Sequence, residues 1–335
     1  MKGEVAEELM LPIFEDEALA SSKPSVLALL KSIEWSYSKR GVLEQCPRKY
    51  YFAYYGSAVR KARGEPQKAR LRALKRLKNR NERAGEILHR VIAHYFRSAG
   101  LHRVMDGKAM ADWARKMFSA DLAFSRRARG ELPQPQGEYP PSQLLEFFHG
   151  QIDAEELCGE TERRLLSALA NFAENRSFAS VRALRGEPSV RVEKRFRMSS
   201  FPCAVSGVVD LAVEWSGTPG VVDWKIGNRS AGEDDSLQLN VYAFWGGAEF
   251  SLSPEGVQLF KAFLGSSDLV RYHCTPVTLD RAKMRIVQDA LRMATVEDYG
   301  RHGEMRAFTA CAQPRVCALC PFLTICPEGK ECVRG

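Results

Sequence analysis

The chain has 335 residues, 45% of them hydrophobic, which is enough to bury a substantial core in one large domain or two. It has no apolar run approaching about twenty residues and no secretory pattern at Met1-Lys-Gly-Glu-Val, so the expectation is a cytoplasmic protein with no membrane span. Lys and Arg outnumber Asp and Glu by 49 to 41, and the net charge of +8 favours an anionic partner without identifying one. Nine cysteines in so large a chain, with no export signal, favour a metal or cluster site over a disulfide framework. Cys46 stands near one end, and Cys311, Cys317, Cys320, Cys326 and Cys332 crowd the other; Cys158, Cys203 and Cys274 read as buried thiols.

Residues 1–35, acidic early and broken at Ser21-Ser-Lys-Pro24, read as an extension or partner-binding arm. Ser38 is the expected N-cap of a helix through Lys39–Cys46. Tyr50, Tyr51, Phe52, Tyr54 and Tyr55 follow; such rings can stack on bases, but a run this apolar more often packs a helix into the core. Residues 57–80 carry ten basic residues (Arg60, Lys61, Arg63, Lys68, Arg70, Arg72, Lys75, Arg76, Lys78 and Arg80) against one acid, Glu65. So one-sided a run is expected to meet phosphates, with salt-sensitive affinity. Ile87, Leu88, Val91, Ile92, Tyr95 and Phe96 have helical spacing, and His89 borders that stripe, a place where a lone histidine is usually structural. Helices are expected at about 108–128, 142–158 and 160–178, interrupted by a Pro-rich break at 133–141. They form a helical insertion that shapes a substrate channel or holds a partner.

From Ser189 the hydrophobic period shifts towards two, leading into Val205–Gly227, a strand, a five-residue turn at Ser216–Gly220 and a second strand. Alternation puts Val209, Leu211, Val213 and Trp215 on one face and Asp210 on the other, while Asp223 and Lys225 share a face of the second strand. The turn brings Asp210 to within about a residue of register with Asp223 and Lys225. Carboxylates that close need a cation between them, and Mg²⁺ or Mn²⁺ takes such oxygens; a neighbouring lysine can polarise or deprotonate water. Beyond the hairpin, Gln238 and Tyr242 share a face of a predicted helix. Further strands are expected at 257–264 and 269–274, and a helix from Thr278 to about Tyr299 with Asp280 in its first turn. The array Cys317-x2-Cys320-x5-Cys326 offers three thiolates that need a fourth, and zinc or iron would serve on spacing alone. Cys46, Cys311 and Cys332 are the candidates.

Gly207-Val-Val-Asp210 followed by Asp223-Trp-Lys225 resembles the core of the PD-(D/E)XK nuclease superfamily. Ser36-x-Ser38 with Cys46-Pro-x-x-Tyr50, Gly85-x-x-x-His89 and Gln238-x-x-x-Tyr242 are similar to motifs of its RecB-like iron–sulfur branch, which includes the CRISPR-associated RecB-like exonucleases and the AddB nuclease domain. The resemblance covers roughly 36–56, 85–96, 189–264 and 278–328, in family order. It implies an α/β, restriction-endonuclease-like core with a mixed central sheet flanked by helices, a helical insertion, and an iron–sulfur subdomain formed by both chain ends. The implied division is 1–35 extension, 36–56 first part of the iron–sulfur subdomain, 57–187 basic segment, His89 helix and insertion, 188–277 nuclease core, and 278–335 C-terminal helix and cysteine cluster.

The same resemblance implies that His89, Asp210, Asp223 and the Trp224 carbonyl hold Mg²⁺ or Mn²⁺, that Lys225 joins the metal in activating water, and that Gln238 and Tyr242 orient the site. Cys46, Cys317, Cys320 and Cys326 would hold a [4Fe–4S] cluster, clipping together segments about 270 residues apart. The implied activity is DNA phosphodiester hydrolysis, chiefly as an exonuclease on single strands or single-stranded ends, in CRISPR prespacer processing, recombination, repair or phage defence. Arg60, Lys61, Arg63, Lys68, Arg70, Arg72, Lys75 and Arg76 would contact that DNA. The alternatives are a DNA-binding or assembly subunit, for instance beside a CRISPR integrase or a helicase, and a zinc-dependent regulator. No G-x-x-x-x-G-K-[ST] phosphate loop is present, so a helicase motor would be another chain.

Overall fold

The structure, a computed structural model, describes residues 26–58, 66–99, 105–132, 140–215, 217–229 and 236–334. Arg60, Lys61 and Arg63, most of the 1–35 extension and residues 133–139 of the Pro-rich break lie outside them. The β-branched runs pair into one mixed six-stranded sheet: β1 (Glu34–Trp35), β2 (Arg191–Met198), β3 (Ala204–Trp215), β4 (Thr218–Lys225), β5 (Gln258–Phe263) and β6 (Asp268–Tyr272). The order is β1-β3-β4-β5-β6 with β2 also on β3; β1–β3 and β4–β5 are parallel and the other pairs antiparallel.

The chain enters through α1 (Val26–Lys31), α2 (Tyr37–Gln45) and α3 (Pro47–Tyr51), then a π-helical turn over Phe52–Gly56. The basic α4 (Pro66–Lys75), α5 (Arg80–Arg97), α6 (Gly107–Arg127), α7 (Leu145–Phe148), α8 (Ala154–Glu174) and α9 (Ala179–Arg182) precede the main strands. The rest comprises α10 (Ser236–Phe250), α11 (Pro276–His302), α12 (Pro314–Cys317) and α13 (Pro327–Arg334). Among the described residues no helix is long and apolar enough to cross a membrane.

Both faces of the sheet are covered. On one, Ile87, Val91, Phe118, Leu169 and Phe172 from α5, α6 and α8 pack on Leu211, Val213, Val222 and Trp224. On the other, Val241, Ala243, Ile286 and Met293 from α10 and α11 pack on Val205, Val209, Ala212 and Val221. Each fully buried Phe contributes roughly 1.5–3 kcal/mol. A third cluster joins Phe52, Leu71, Leu74, Phe148 and Phe322, so the basic helix α4 is pinned by its leucines beside the aromatic turn. Helix α5 starts with an Asn79–Glu82 capping box, and two buried ion pairs fix its first turns: Arg80 Nη1 lies 2.9 Å from Glu146 Oε1 and Arg83 Nε 2.6 Å from Asp121 Oδ2. Removing one partner from such a pair costs about 3–5 kcal/mol.

Several local expectations change. Ser36, not Ser38, caps α2, because its side chain accepts from the Lys39 N–H. Strand β1 lies inside the stretch read as extension, with Trp35 fully buried. The insertion has one long helix, α8, where two segments were expected, because residues 149–153 turn before it begins. The hairpin connection is shorter than the five residues expected, since β3 and β4 pair as far as Trp215↔Thr218, and Gly217 takes φ 75° where glycine is favoured. Helix α11 begins at Pro276 with Thr275 as N-cap, which moves Asp280 out of the first turn.

Candidate active site

Strand pairing is interrupted at one level of the sheet. The β3–β4 pairs end at Leu211↔Val222, whereas β4 continues beside β5 as far as Lys225↔Phe263. Along the same edge of β3, β1 pairs only at Ala204 and Val205. The strand edge from Ser206 to Asp210 therefore faces an opening, and its polar backbone finds other partners. The Tyr242 hydroxyl donates to the Val208 carbonyl at 2.9 Å, and the Trp224 N–H donates to Asp210 Oδ2 at 2.9 Å.

Residues two apart on a regular strand share a face, yet Val209 packs towards α10 and α11 while Leu211 and Val213 pack towards α5 and α8. The continuous apolar face expected for Val209–Trp215 is thus broken at Asp210, and helices cover both sides of the hairpin. Strand β2 switches in step, with Val192 on the first side and Phe196 on the second. Glu193, at the switch, takes φ 51°, a left-handed conformation that costs a residue of this kind about 1–3 kcal/mol and concentrates at functional sites. Continuing the registers Val192↔Leu211 and Leu211↔Val222 by one residue places Glu193, Asp210 and Asp223 in a single row across three strands.

His89 reaches that row from α5, with Nδ1 3.2 Å from Asp210 Oδ1 and 3.4 Å from Glu193 Oε1. Ligand atoms of His89, Glu193 and Asp210 all lie within 4.8 Å of one another, close enough for one cation. Burial works against the His89 cation, but hydrogen bonds to Asp210 and Glu193 more than offset it and carry its pKa up to about 10. Asp223 is only 2% exposed; burial pushes its carboxyl upward, Lys225 pulls it back, and His89 also acts on it. Lys225 Nζ lies 2.8 Å from Asp223 Oδ2, but that oxygen has no properly directed hydrogen bond. Three carboxylates therefore meet two direct cationic partners, and one buried oxygen still lacks a donor. This donor set fits a divalent ion with oxygen and imidazole ligands.

Behind the row, Lys225 Nζ donates to Gln238 Oε1 at 3.4 Å, and Gln238 Nε2 contacts the Tyr242 hydroxyl at 2.8 Å. One turn of α10 thus links Lys225 to the open edge of β3. Trp224 contributes its N–H to Asp210 and buries its indole against Phe96 and Phe172. Gly207 makes room for a ring: a Cβ there would stand 2.6 Å from Phe196. At Gly85, one turn before His89, a Cβ would meet nothing within 4 Å.

Glu193 is the site residue that sequence reasoning misses. Its only signal is the Val190–Val192 alternation, which needs the β2–β3 register before it means anything. Tyr37 of α2 is a second omission, near enough to bear electrostatically on Lys225.

At the chain ends, Cys46, Cys311, Cys317, Cys320 and Cys326 line one small cavity. Burial raises their neighbourhood's thiols, Cys317 to about 12 and Cys320 to about 11. Cys311 bears on both Cys46 and Cys317, and Cys332 on Cys317. Among the described residues no three sulfurs lie within 4.8 Å of one another, whereas a tetrahedral zinc holds its thiolates about 3.8 Å apart. Arg48 clamps the two ends: Nε donates to the Phe308 carbonyl at 2.7 Å, and its guanidinium takes Glu328 in both oxygens at 3.0 and 3.2 Å. Cys158 and Cys203 are buried away from this cavity, and Cys274 sits beside Asn240.

Of the basic segment, Arg70, Lys75 and Arg76 are exposed and Lys68 and Arg72 half-buried. The aromatics largely pack inward, as expected. Tyr50 and Phe52 are buried, the Tyr51 hydroxyl donates to the Gly303 carbonyl at 3.2 Å, and the Tyr55 hydroxyl binds Glu297.

The sequence profile of the PD-(D/E)XK nuclease superfamily matches residues 34–327. No curated protein matches the chain.

Proposed function

The chain belongs to the PD-(D/E)XK nuclease superfamily, and from that premise we propose that it is a cytoplasmic, metal-dependent nuclease hydrolysing DNA phosphodiester bonds, preferring single strands or single-stranded ends and acting as an exonuclease. The row Glu193–Asp210–Asp223, closed by His89, is the observation that carries this reading. His89, Asp210 and Asp223, with the Trp224 carbonyl and Glu193, would hold Mg²⁺ or Mn²⁺. Such an ion supplies charge stabilisation at the scissile phosphate and a more acidic water.

Lys225 is aimed by its ion pair with Asp223 and by its acceptor Gln238, which keep its ammonium at the mouth of the opening. There it donates to the phosphate as negative charge builds up, the kind of preorganised contact whose loss costs about 10²–10³-fold. Gln238 and Tyr242 hold Lys225 and the β3 edge at fixed separation. The basic residues Lys68, Arg70, Arg72, Lys75 and Arg76, with Arg60, Lys61 and Arg63 before them, would neutralise phosphates of the bound strand.

Cys46, Cys317, Cys320 and Cys326 would hold a [4Fe–4S] cluster in the cavity at the chain ends, which all four line. Its contribution is to join the two ends. An exonuclease of this kind suits CRISPR prespacer processing, recombination, repair or phage defence, with a CRISPR integrase or a separate helicase subunit as partner.

The test is cleavage of end-labelled single-stranded DNA with Mn²⁺ by the wild type and by Lys225→Ala. The wild type is expected to shorten the strand and the variant to be slower by about 10²–10³-fold. A folded wild type that binds DNA with a steep salt slope and cuts nothing replaces this reading with that of a binding or assembly subunit.

A further inference from the structure

The π-helical turn at Phe52–Gly56 packs four tyrosines closely, and three are committed to the fold. Tyr50 is buried, and Tyr51 and Tyr55 spend their hydroxyls on the Gly303 carbonyl and on Glu297. Tyr54 differs. Its half-buried ring packs against two hydrophobic clusters with the Tyr50 ring 4.8 Å away, but among the described residues its hydroxyl makes no hydrogen bond. Lys75 Nζ stands 4.8 Å from the ring centroid and Lys39 Nζ 5.6 Å from it. Lys39 has a carboxylate partner, Glu34 at 3.2 Å; Lys75 Nζ donates to the Ala53 carbonyl at 2.5 Å and has no carboxylate partner among the described residues. An ordinary surface cation–π contact has one cation, whereas here two ammonium groups crowd one ring with a single acid between them.

We propose that Tyr54, flanked by Lys39 and Lys75, seats the single-stranded end of the DNA on its way to the opening, with a base on the ring and phosphates on the two ammonium groups. The proposal rests on the nuclease reading for its substrate class. Every base offers a π face once unpaired, and each nucleotide brings one phosphate, so the pairing is independent of sequence and selects against duplex, whose bases stay stacked. The geometry also points towards the active site. Lys39 lies on α2 two residues from Tyr37, which bears on Lys225 and has the Arg40 guanidinium 5.9 Å from its own ring.

The test is binding by the full chain of a fluorescently labelled dT oligonucleotide and of a blunt duplex, in EDTA so that nothing is cut. Tyr54→Ala is expected to weaken dT binding by about 5- to 100-fold and leave duplex binding unchanged, with Tyr54→Phe close to wild type. The double variant Lys39→Gln/Lys75→Gln, in which glutamine at 75 keeps an amide donor for the Ala53 carbonyl, is expected to reduce the salt slope for dT by about 1.4. Wild-type dT binding by Tyr54→Ala, equal weakening on dT and duplex, or an unchanged salt slope overturns the proposal. If Tyr54→Ala does not fold, the lysine variant alone decides. A wild type that cuts DNA while Tyr54→Ala binds normally removes this station only; a wild type that never cuts removes the nuclease reading.

Discussion

The opening in the sheet and the cysteine cavity are built in opposite ways. In the opening, Glu193, Asp210, Asp223 and Lys225 stand on paired strands and His89 on a helix pinned by two buried ion pairs, so backbone geometry sets their positions. Its carboxylates already meet cations of the chain's own, His89 and Lys225. The cavity instead gathers thiols from the ends of short helices that are far apart in sequence, and burial raises the pKa values of Cys317 and Cys320. The difference teaches that the fold itself holds the first set of side chains in place, whereas the second would be completed by the proposed cluster. Loss of the proposed divalent ion should cost turnover, and loss of the proposed cluster should cost the fold.

The largest effect tests this contrast directly. Cys320→Ser, or stripping iron with a chelator, is expected to lower the melting temperature by roughly 4 °C, as for about 3 kcal/mol in a chain of this size. Removing Mn²⁺ alone is expected to shift it far less, and equal shifts in calorimetry would erase the distinction. Next, Glu193→Gly should weaken Mn²⁺ binding by about 10–100-fold in titration calorimetry, the scale at which partners of a metal site act. It should also raise the melting temperature by relieving the left-handed φ of 51°. Weakened folding with unchanged Mn²⁺ affinity would make Glu193 a structural residue.

Gly207→Ala drives a Cβ towards the Phe196 ring and should cost about 1–3 kcal/mol in urea unfolding. A neutral result would mean that Phe196 yields, and with it the packing beside Tyr242. The smallest effect is alkaline. Burial raises Cys158 to about 12 and Cys203 to about 11, while an unfolded thiol titrates near 8.5. Because the folded pKa values are raised, this contribution is fully present below about pH 8.5 and fades as pH rises towards 11. Melting temperatures should fall across that window, and Cys158→Ala/Cys203→Ala should flatten the fall.

Asp210, Asp223 and Lys225 were legible because side-chain alternation and one turn suffice to bring them together. His89 was legible only through the spacing Gly85-x-x-x-His89, since nothing local distinguishes it from a structural histidine on an apolar stripe. Glu193 was not, because its role depends on a three-strand register and on a backbone angle that no composition rule supplies. The paired face switch at Glu193 and Asp210 was hidden for the same reason: alternation assumes a regular strand and fails where the strand is irregular. Core packing of the tyrosines was readable as a group, but the exception, Tyr54, depends on Lys75 arriving from α4, which follows it in the chain.

The Arg48–Glu328 clamp joins residues 280 positions apart. At a synthesis rate of about 5–20 residues per second, Arg48 waits roughly 14–56 s for its partner to be made. Through that interval Cys46 and the tyrosine turn have no C-terminal segment to pack against. Newly made chains are therefore most exposed to oxidation and to proteases around Cys46 and the tyrosine turn, and a pause before Glu328 is made lengthens the danger.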